Sequence, residues 1–247
     1  MSLSRLGRSS SRRACRSGAR LRRAGGSPPT ARAARTSRLP PSFSPTGSFR
    51  AVRLVLDWDG TVTERDTLDL VLREFGDDEI YDRAEAELDA GRMTLNEVIA
   101  AEFATVTAPL DEVVAYVVEH ACVRRGFAEL ARAKHPLVVS SGFHELIEPV
   151  LEREGALDEV ELRANRVDAR PDGWRVLFRE LETCAECGEP CKRGDLPPGE
   201  VVYAGDGHSD YCAALAADRV FATGSLARYL DERGVNYEPL TDFRALV

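Results

Sequence analysis

The chain has 247 residues, with 33 lysines and arginines against 41 aspartates and glutamates, and a formal charge of −8. That length accommodates one medium domain, or a core carrying a modest insertion, and is ample for a packed interior. Its 43% apolar residues exclude a wholly disordered chain, and no apolar run approaches the length that spans a bilayer.

The charge is unevenly divided. Residues 1–50 hold twelve arginines and no acidic residue, a charge of +12 that leaves −20 on the remainder. This Arg-, Ser-, Ala-, Pro- and Gly-rich head has no helical or strand period. It is expected to be disordered, because it cannot bury enough surface to offset its ordering entropy. Three readings stand open: an organelle transit peptide, a basic arm that binds nucleic acid without sequence preference, and a translated extension ahead of the true start. The use of 31 arginines but only two lysines, Lys134 and Lys192, accords with the last through a GC-rich coding sequence. The head lacks the apolar stretch of a secretory signal.

From residue 51 the texture changes. Val52, Leu54, Val55 and Leu56 form a short apolar run that ends in Asp57-Trp58-Asp59-Gly60-Thr61. Such a run closed by turn residues reads as a buried parallel strand. Helical patterns follow around 66–75, 79–90 and 94–105. Leu110, Val113, Val114, Val117, Val118, Ala121 and Cys122 then repeat at i, i+3, i+4, i+7, the mark of an amphipathic helix. A second strand, Leu137-Val138-Val139, ends in Ser140-Ser141-Gly142 and precedes a helix with Leu146, Ile147, Val150 and Leu151 on one face, Pro149 notwithstanding. A third, Val201–Ala204, ends in Gly205-Asp206-Gly207, again before a helix. Near the end, Ser225 is expected to cap a helix that Gly234 terminates. Strands alternating with helices predict an α/β fold with a parallel sheet. The helical block inside the first crossover predicts a cap over the sheet's carboxyl edge. The expected division is a head at 1–50, a core at 51–63 and 135–247, and a cap at 64–134.

Polar residues gather where the three strands stop, the edge at which open α/β sheets bind ligands. Asp57 and Asp59 can point toward one site, and two such carboxylates repel unless a cation joins them or one keeps a proton. Asp206 and Asp210 would complete an oxygen-ligated Mg2+ site. Ser140 and Lys192 supply a hydroxyl and a positive charge suited to phosphate. This is a phosphoryl-transfer constellation: Asp57 attacks phosphorus, and Asp59 protonates the leaving oxygen and then activates water.

Asp57–Thr63, Ser140-Ser141-Gly142-Phe143, Lys192 and Gly205–Asp210 resemble the four ordered motifs of the haloacid dehalogenase superfamily, across about 51–247. The resemblance implies a Rossmann-like core with a small helical cap after the first strand. It implies Asp57 as nucleophile and Asp59 as acid/base, and Thr61, Ser140, Ser141, Gly142 and Lys192 as phosphate-binding. Asp57, Asp59, Asp206 and Asp210 would form the Mg2+ site. The second acid of Asp-x-Asp favours phosphatases over dehalogenases. Cap position and Ser-x-Gly-Phe resemble the phosphoserine phosphatase-like branch. The cysteines before Lys192, together with the tail Phe221–Phe243, resemble the group that contains the methionine-salvage phosphatase of 2-hydroxy-3-keto-5-methylthiopentenyl-1-phosphate.

Asp66 matches the acid that phosphoserine phosphatases use for the substrate amine. Glu102, however, stands where they carry an arginine and would repel a carboxylate, which demotes phosphoserine. His144 follows the phosphate loop and is a candidate substrate contact. Cys184-x-x-Cys187-x-x-x-Cys191 has spacing suited to structural Zn2+, with His208 or Cys212 as a fourth ligand; a disulfide and unligated thiols are the alternatives.

The expected activity is Mg2+-dependent hydrolysis of a small phosphorylated metabolite. Alternatives are phosphoserine, phosphoethanolamine or phosphocholine as substrate, a phosphomutase of the same fold, or a nucleic-acid binder acting through the head. The expected setting is cytoplasmic (or an organelle, if the head is a transit peptide), as a monomer or homodimer, with no membrane partner. Nucleic acid is disfavoured by the acidic body.

Overall fold

The computed structural model describes residues 52–246; the expectations for the head at 1–50 lie outside them. The described chain runs β1 (Val52–Leu56), α1 (Thr67–Phe75), α2 (Asp78–Asp89), α3 (Leu95–Phe103), α4 (Leu110–His120), α5 (Phe127–Lys134), β2 (Leu137–Phe143), α6 (His144–Glu154), β3 (Glu161–Asp168), β4 (Arg175–Leu177), β5 (Glu200–Gly205), α7 (Tyr211–Ala216), β6 (Arg219–Ala222), α8 (Gly224–Arg233) and β7 (Glu238–Pro239). Among the described residues one seven-stranded sheet has the order β4-β3-β2-β1-β5-β6-β7. All pairings are parallel except β3 with β4. This is the predicted α/β fold.

The alternation of β1 divides the core. Val55 faces a layer with Leu137, Tyr203, Leu226 and Leu230. Leu56 faces the opposite layer with Phe127, Leu130, Leu146 and Val150. Period-two side chains thus bury both faces, and β1, at the sheet's centre, reads as a continuous apolar run. Because β2 lies on one side of β1 and β5 on the other, a crevice opens at the carboxyl end of β1, the switch point where such sheets bind ligands.

The four helices between Thr67 and His120 form the expected cap. Asp66 caps α1 by accepting from the backbone N–H groups of Leu68 and Asp69 at 2.7 and 3.0 Å. Thr94 and Glu97 form a reciprocal capping box on α3. The chain leaves and re-enters the core through an antiparallel bridge between Thr63 and Val123. The return therefore precedes α5, which lies inside the 64–134 cap expected from the sequence. Phe127 of α5 packs edge-on against Trp58, ring centroids 6.2 Å apart, and also meets Phe243, so α5 belongs with the core layer.

Two local expectations differ from the structure. Helix α8 starts two residues early, with Thr223 at its N-cap position, and Ser225 Oγ donates instead to the Asp206 carbonyl at 3.3 Å. Strand β3 was not foreseen, because Glu, Arg and Asn interrupt its apolar pattern. Gly234 ends α8 at φ +64, as expected. Among the described residues no helix is long and apolar enough to cross a membrane.

Candidate active site

Strand β1 delivers Asp57 to the crevice, its N–H bonded to the Ala204 carbonyl of β5 at 2.9 Å. The chain then makes a tight turn, which Gly60 permits at φ +72. A side chain at Gly60 would collide with the Asp206 carboxylate, 2.1 Å from an ideal Cβ. The glycine is therefore what lets the first and last motifs approach each other. Arg124, just after the cap, braces the turn by donating to the Thr61 and Gly60 carbonyls at 2.8 Å each.

Lys192 Nζ is buried between Asp57 Oδ1 and Asp210 Oδ1, the latter at 2.7 Å. Burial disfavours its charge, but the carboxylates of Asp210 and Asp57 outweigh burial and hold it as an ammonium. Asp57 is pushed up to about 7, by burial first and Asp210 second, against the pull of Lys192. Asp206 is pushed up to about 9 by burial, then by Asp57 and Asp210. Asp59 is raised to about 8 by burial and Asp66. Crowded, desolvated carboxylates of this kind need positive charge in order to ionise.

The donor set fits the Mg2+ that the sequence implied. Oxygens of Asp57, Asp206 and Asp210 lie within 4.8 Å of one another, all hard ligands. Asp210 is nevertheless fully engaged. Its Oδ1 accepts from Lys192 and from Tyr203 Oη at 2.7 Å, and its Oδ2 from the N–H groups of Asp206 and Gly207 at 2.9 and 3.0 Å. It anchors the floor of the site, leaving Asp57 and Asp206 as the less committed oxygens.

Asp59 has separate surroundings. It accepts from the Thr67 N–H at 2.8 Å and from Ser140 Oγ at 3.4 Å. Ser140 Oγ also accepts from the Gly142 N–H at 2.8 Å, and an added Cβ at Gly142 would lie 3.1 Å from that hydroxyl. Asn165 of β3 holds the loop from behind, donating to the Ser141 carbonyl at 2.8 Å. Thr61 Oγ1 is buried without a hydrogen-bond partner.

The structure thus brings Asp57, Asp59, Ser140, Lys192, Asp206 and Asp210 into one connected site. Asp66 is occupied as a helix cap, and the His144 ring is paired with Glu148 Oε1 at 2.7 Å. Glu102 is 4% exposed, its Oε1 has no hydrogen-bond partner, and burial followed by Glu85 and Asp66 raises it to about 8. Thr67, Arg124 and Tyr203 were missed in the sequence; no motif marks them. A cavity of about 420 Å³ adjoins Lys192 and Ser141 and reaches Asn96 of the cap and Arg179, Tyr229 and Arg233 of the core.

The model of the haloacid dehalogenase-like hydrolase family matches residues 54–215. Similar curated proteins include the 2-hydroxy-3-keto-5-methylthiopentenyl-1-phosphate phosphatase of Lysinibacillus sphaericus (strain C3-41), 28% identical over 204 residues and covering 76% of this chain and 88% of the relative. The protein of the same name from Geobacillus thermodenitrificans (strain NG80-2) is 28% identical over 203 residues, covering 77% and 91%. Among solved structures, a phospho-aspartyl intermediate analogue of phosphoserine phosphatase superposes with a TM-score of 0.58 at 18% identity, covering 80% of this chain and 97% of that one. A substrate-bound phosphoserine phosphatase gives 0.57 at 19% identity with the same coverage. At these identities the structural likeness bears on the fold. The family match spans the first strand, the cap and every motif-bearing strand end, and this chain belongs to the haloacid dehalogenase-like hydrolase family.

Proposed function

We propose that this phosphoric monoester hydrolase works through an aspartyl-phosphate on Asp57. The supporting observation is the contrast between two carboxylates two residues apart. Asp57 is held by Lys192 at the buried floor, whereas Asp59 is held by Thr67 and Ser140. Paired acids in different environments divide the roles of nucleophile and acid/base.

In the first half-reaction Asp57 Oδ forms a bond to phosphorus as the ester P–O bond breaks, and the leaving oxygen takes a proton from Asp59. In the second, Asp59 removes a proton from water, whose oxygen attacks phosphorus. The bond to Asp57 breaks, and inorganic phosphate leaves. Lys192, Thr61 Oγ1 and the backbone at Ser141-Gly142 bind the phosphoryl oxygens, whose charge spreads during transfer. Asp57 and Asp206 would hold Mg2+, whose charge would offset the repulsion between the attacking carboxylate and an anionic substrate.

The proposed substrate is a small uncharged-headgroup phosphate of the methylthio-enediol kind. It is supported by the names of the curated relatives and by Glu102, which offers a substrate carboxylate no positive charge. A second reading rests on the same region: the acids Glu85, Asp66 and Asp69 that crowd Glu102 favour a cationic headgroup such as phosphoethanolamine or phosphocholine.

A phosphometabolite panel with Mg2+, run on the protein and on Asp57→Asn, tests both. Turnover of the enediol phosphate at least tenfold above the amine phosphates supports the first reading, and the reverse order the second. Unchanged turnover by Asp57→Asn removes the mechanism, and strong preference for phosphoserine removes both readings of Glu102.

A further inference from the structure

We propose that Cys184, Cys187, Cys191 and Cys212 bind one zinc ion, a structural site that fixes the Lys192 loop against α7. Their Sγ atoms lie within 4.8 Å of one another. Four thiolates around tetrahedral zinc, with bonds of about 2.3 Å, stand about 3.8 Å apart, so closure needs only small side-chain rotations. All four are free thiols. His208, the other fourth ligand offered by the sequence, lies outside the group; its ring instead meets Tyr211 at 5.0 Å.

The local fold is built for the ion. Thr183 and Pro190 form an antiparallel bridge, and the Cys184 N–H donates to the Glu189 carbonyl at 2.9 Å, making a tight hairpin. Gly188, directly after the second cysteine, takes φ +78 and lets the hairpin close. Inside it the Glu186 N–H donates to Cys184 Sγ at 3.4 Å. A backbone donor aimed at sulfur stabilises a thiolate ligand. Cys191 follows the hairpin, and Cys212 enters from the second position of α7, so the sulfurs converge from two separate parts of the chain.

The placement gives the site its purpose. Between β4 and β5 the chain has a single helical turn, Lys192–Asp195, and otherwise no regular structure beyond the hairpin bridge. Long segments of this kind require a staple to stay in one conformation. Yet Lys192 within it is buried and its ammonium fixed on Asp57 and Asp210. Cys191 immediately precedes Lys192, and Cys212 lies two residues beyond Asp210. An ion joining the two cysteines ties both ends of the Lys192–Asp210 pair.

The test uses the full chain, produced in zinc-replete medium and purified under reducing conditions without chelator. Elemental analysis is expected to give about one zinc per chain, released by a thiol-specific mercurial. Cobalt substitution is expected to give the visible absorption of a tetrahedral thiolate site. Cys187→Ser, which changes the exposed ligand, is expected to lose zinc several-fold during dialysis. The native chain's metal content and cobalt spectrum keep the proposal testable even if that variant folds poorly. A native chain without zinc, whose four thiols alkylate freely or are paired in disulfides, would overturn it. So would iron in place of zinc, or zinc insensitive to the mercurial and displaced by Mg2+. None of these readouts depends on turnover, so failure of the metal site and failure of the proposed phosphatase mechanism are distinguishable.

Discussion

Asp59 accepts the backbone N–H of Thr67 at 2.8 Å, and Thr67 is the first residue of the first cap helix. The proposed acid/base is thereby oriented by the cap as well as by Ser140 of the sheet. Thr67 Oγ1 donates to the same Asp59 oxygen. Thr67→Val keeps the shape and the backbone bond but removes the hydroxyl donor. Steady-state kinetics with a generic aryl phosphate should show kcat reduced about tenfold with little change in KM, the pattern of a misdirected proton donor. A change confined to KM would mean that the hydroxyl serves substrate binding instead.

The turn after Asp57 should be intolerant of any Cβ. Gly60→Ala places a methyl group at positive φ and against the Asp206 carboxylate. The strained backbone costs about 1–3 kcal/mol, and Asp206 must rotate away from Asp57. The expected result is a rise in the Mg2+ concentration needed for half-maximal turnover, larger than the change in melting temperature would suggest. Mg2+ titration of activity beside thermal unfolding separates the two effects.

Tyr203 Oη donates to Asp210 Oδ1 at 2.7 Å from the interior of β5. Tyr203→Phe leaves the ring packed and removes one donor from a buried carboxylate. A loss of about 1–3 kcal/mol in denaturant-derived stability is expected from an acceptor left undersupplied. Unchanged stability would mean that Lys192 and the two backbone donors suffice.

What the sequence disclosed follows from how each residue acts. Asp57, Ser140 and Asp206 are legible because each ends or closes an apolar run, and strand ends in a parallel sheet converge at one edge. Lys192 required the family motif, since nothing local predicts that a lysine between cysteines and prolines will be buried. Arg124 and Tyr203 escaped notice because their partners are fixed only by folding: Arg124 reaches back 63 positions to Thr61. Strand β3 was hidden by Arg163, Asn165 and Arg166, of which Asn165 donates to the Ser141 carbonyl and Arg163 binds the Asp195 carbonyl at 2.9 Å. Two of the residues that break its apolar alternation, Arg163 and Asn165, hold neighbouring segments, and Arg166 pairs with Glu145 of α6.

Glu102 gives a pH signature that can be isolated. Burial, then Glu85, Asp66 and Asp69, raise it to about 8, and its Oε1 lacks a hydrogen-bond partner. Because the folded value lies above the unfolded one, the protonated acid favours the folded state. That contribution is fully present below the ordinary carboxylate range and is lost as pH rises through about 8. Glu102→Gln mimics the protonated form at every pH. Its melting temperature should therefore match the parent near pH 5 and exceed it by a margin that grows to about pH 9. Thermal unfolding of both proteins across that range checks the sign directly. A margin independent of pH would show that Glu102 is not the titrating group, and a parent more stable than the variant at alkaline pH would mean that its carboxylate is paired in the folded chain.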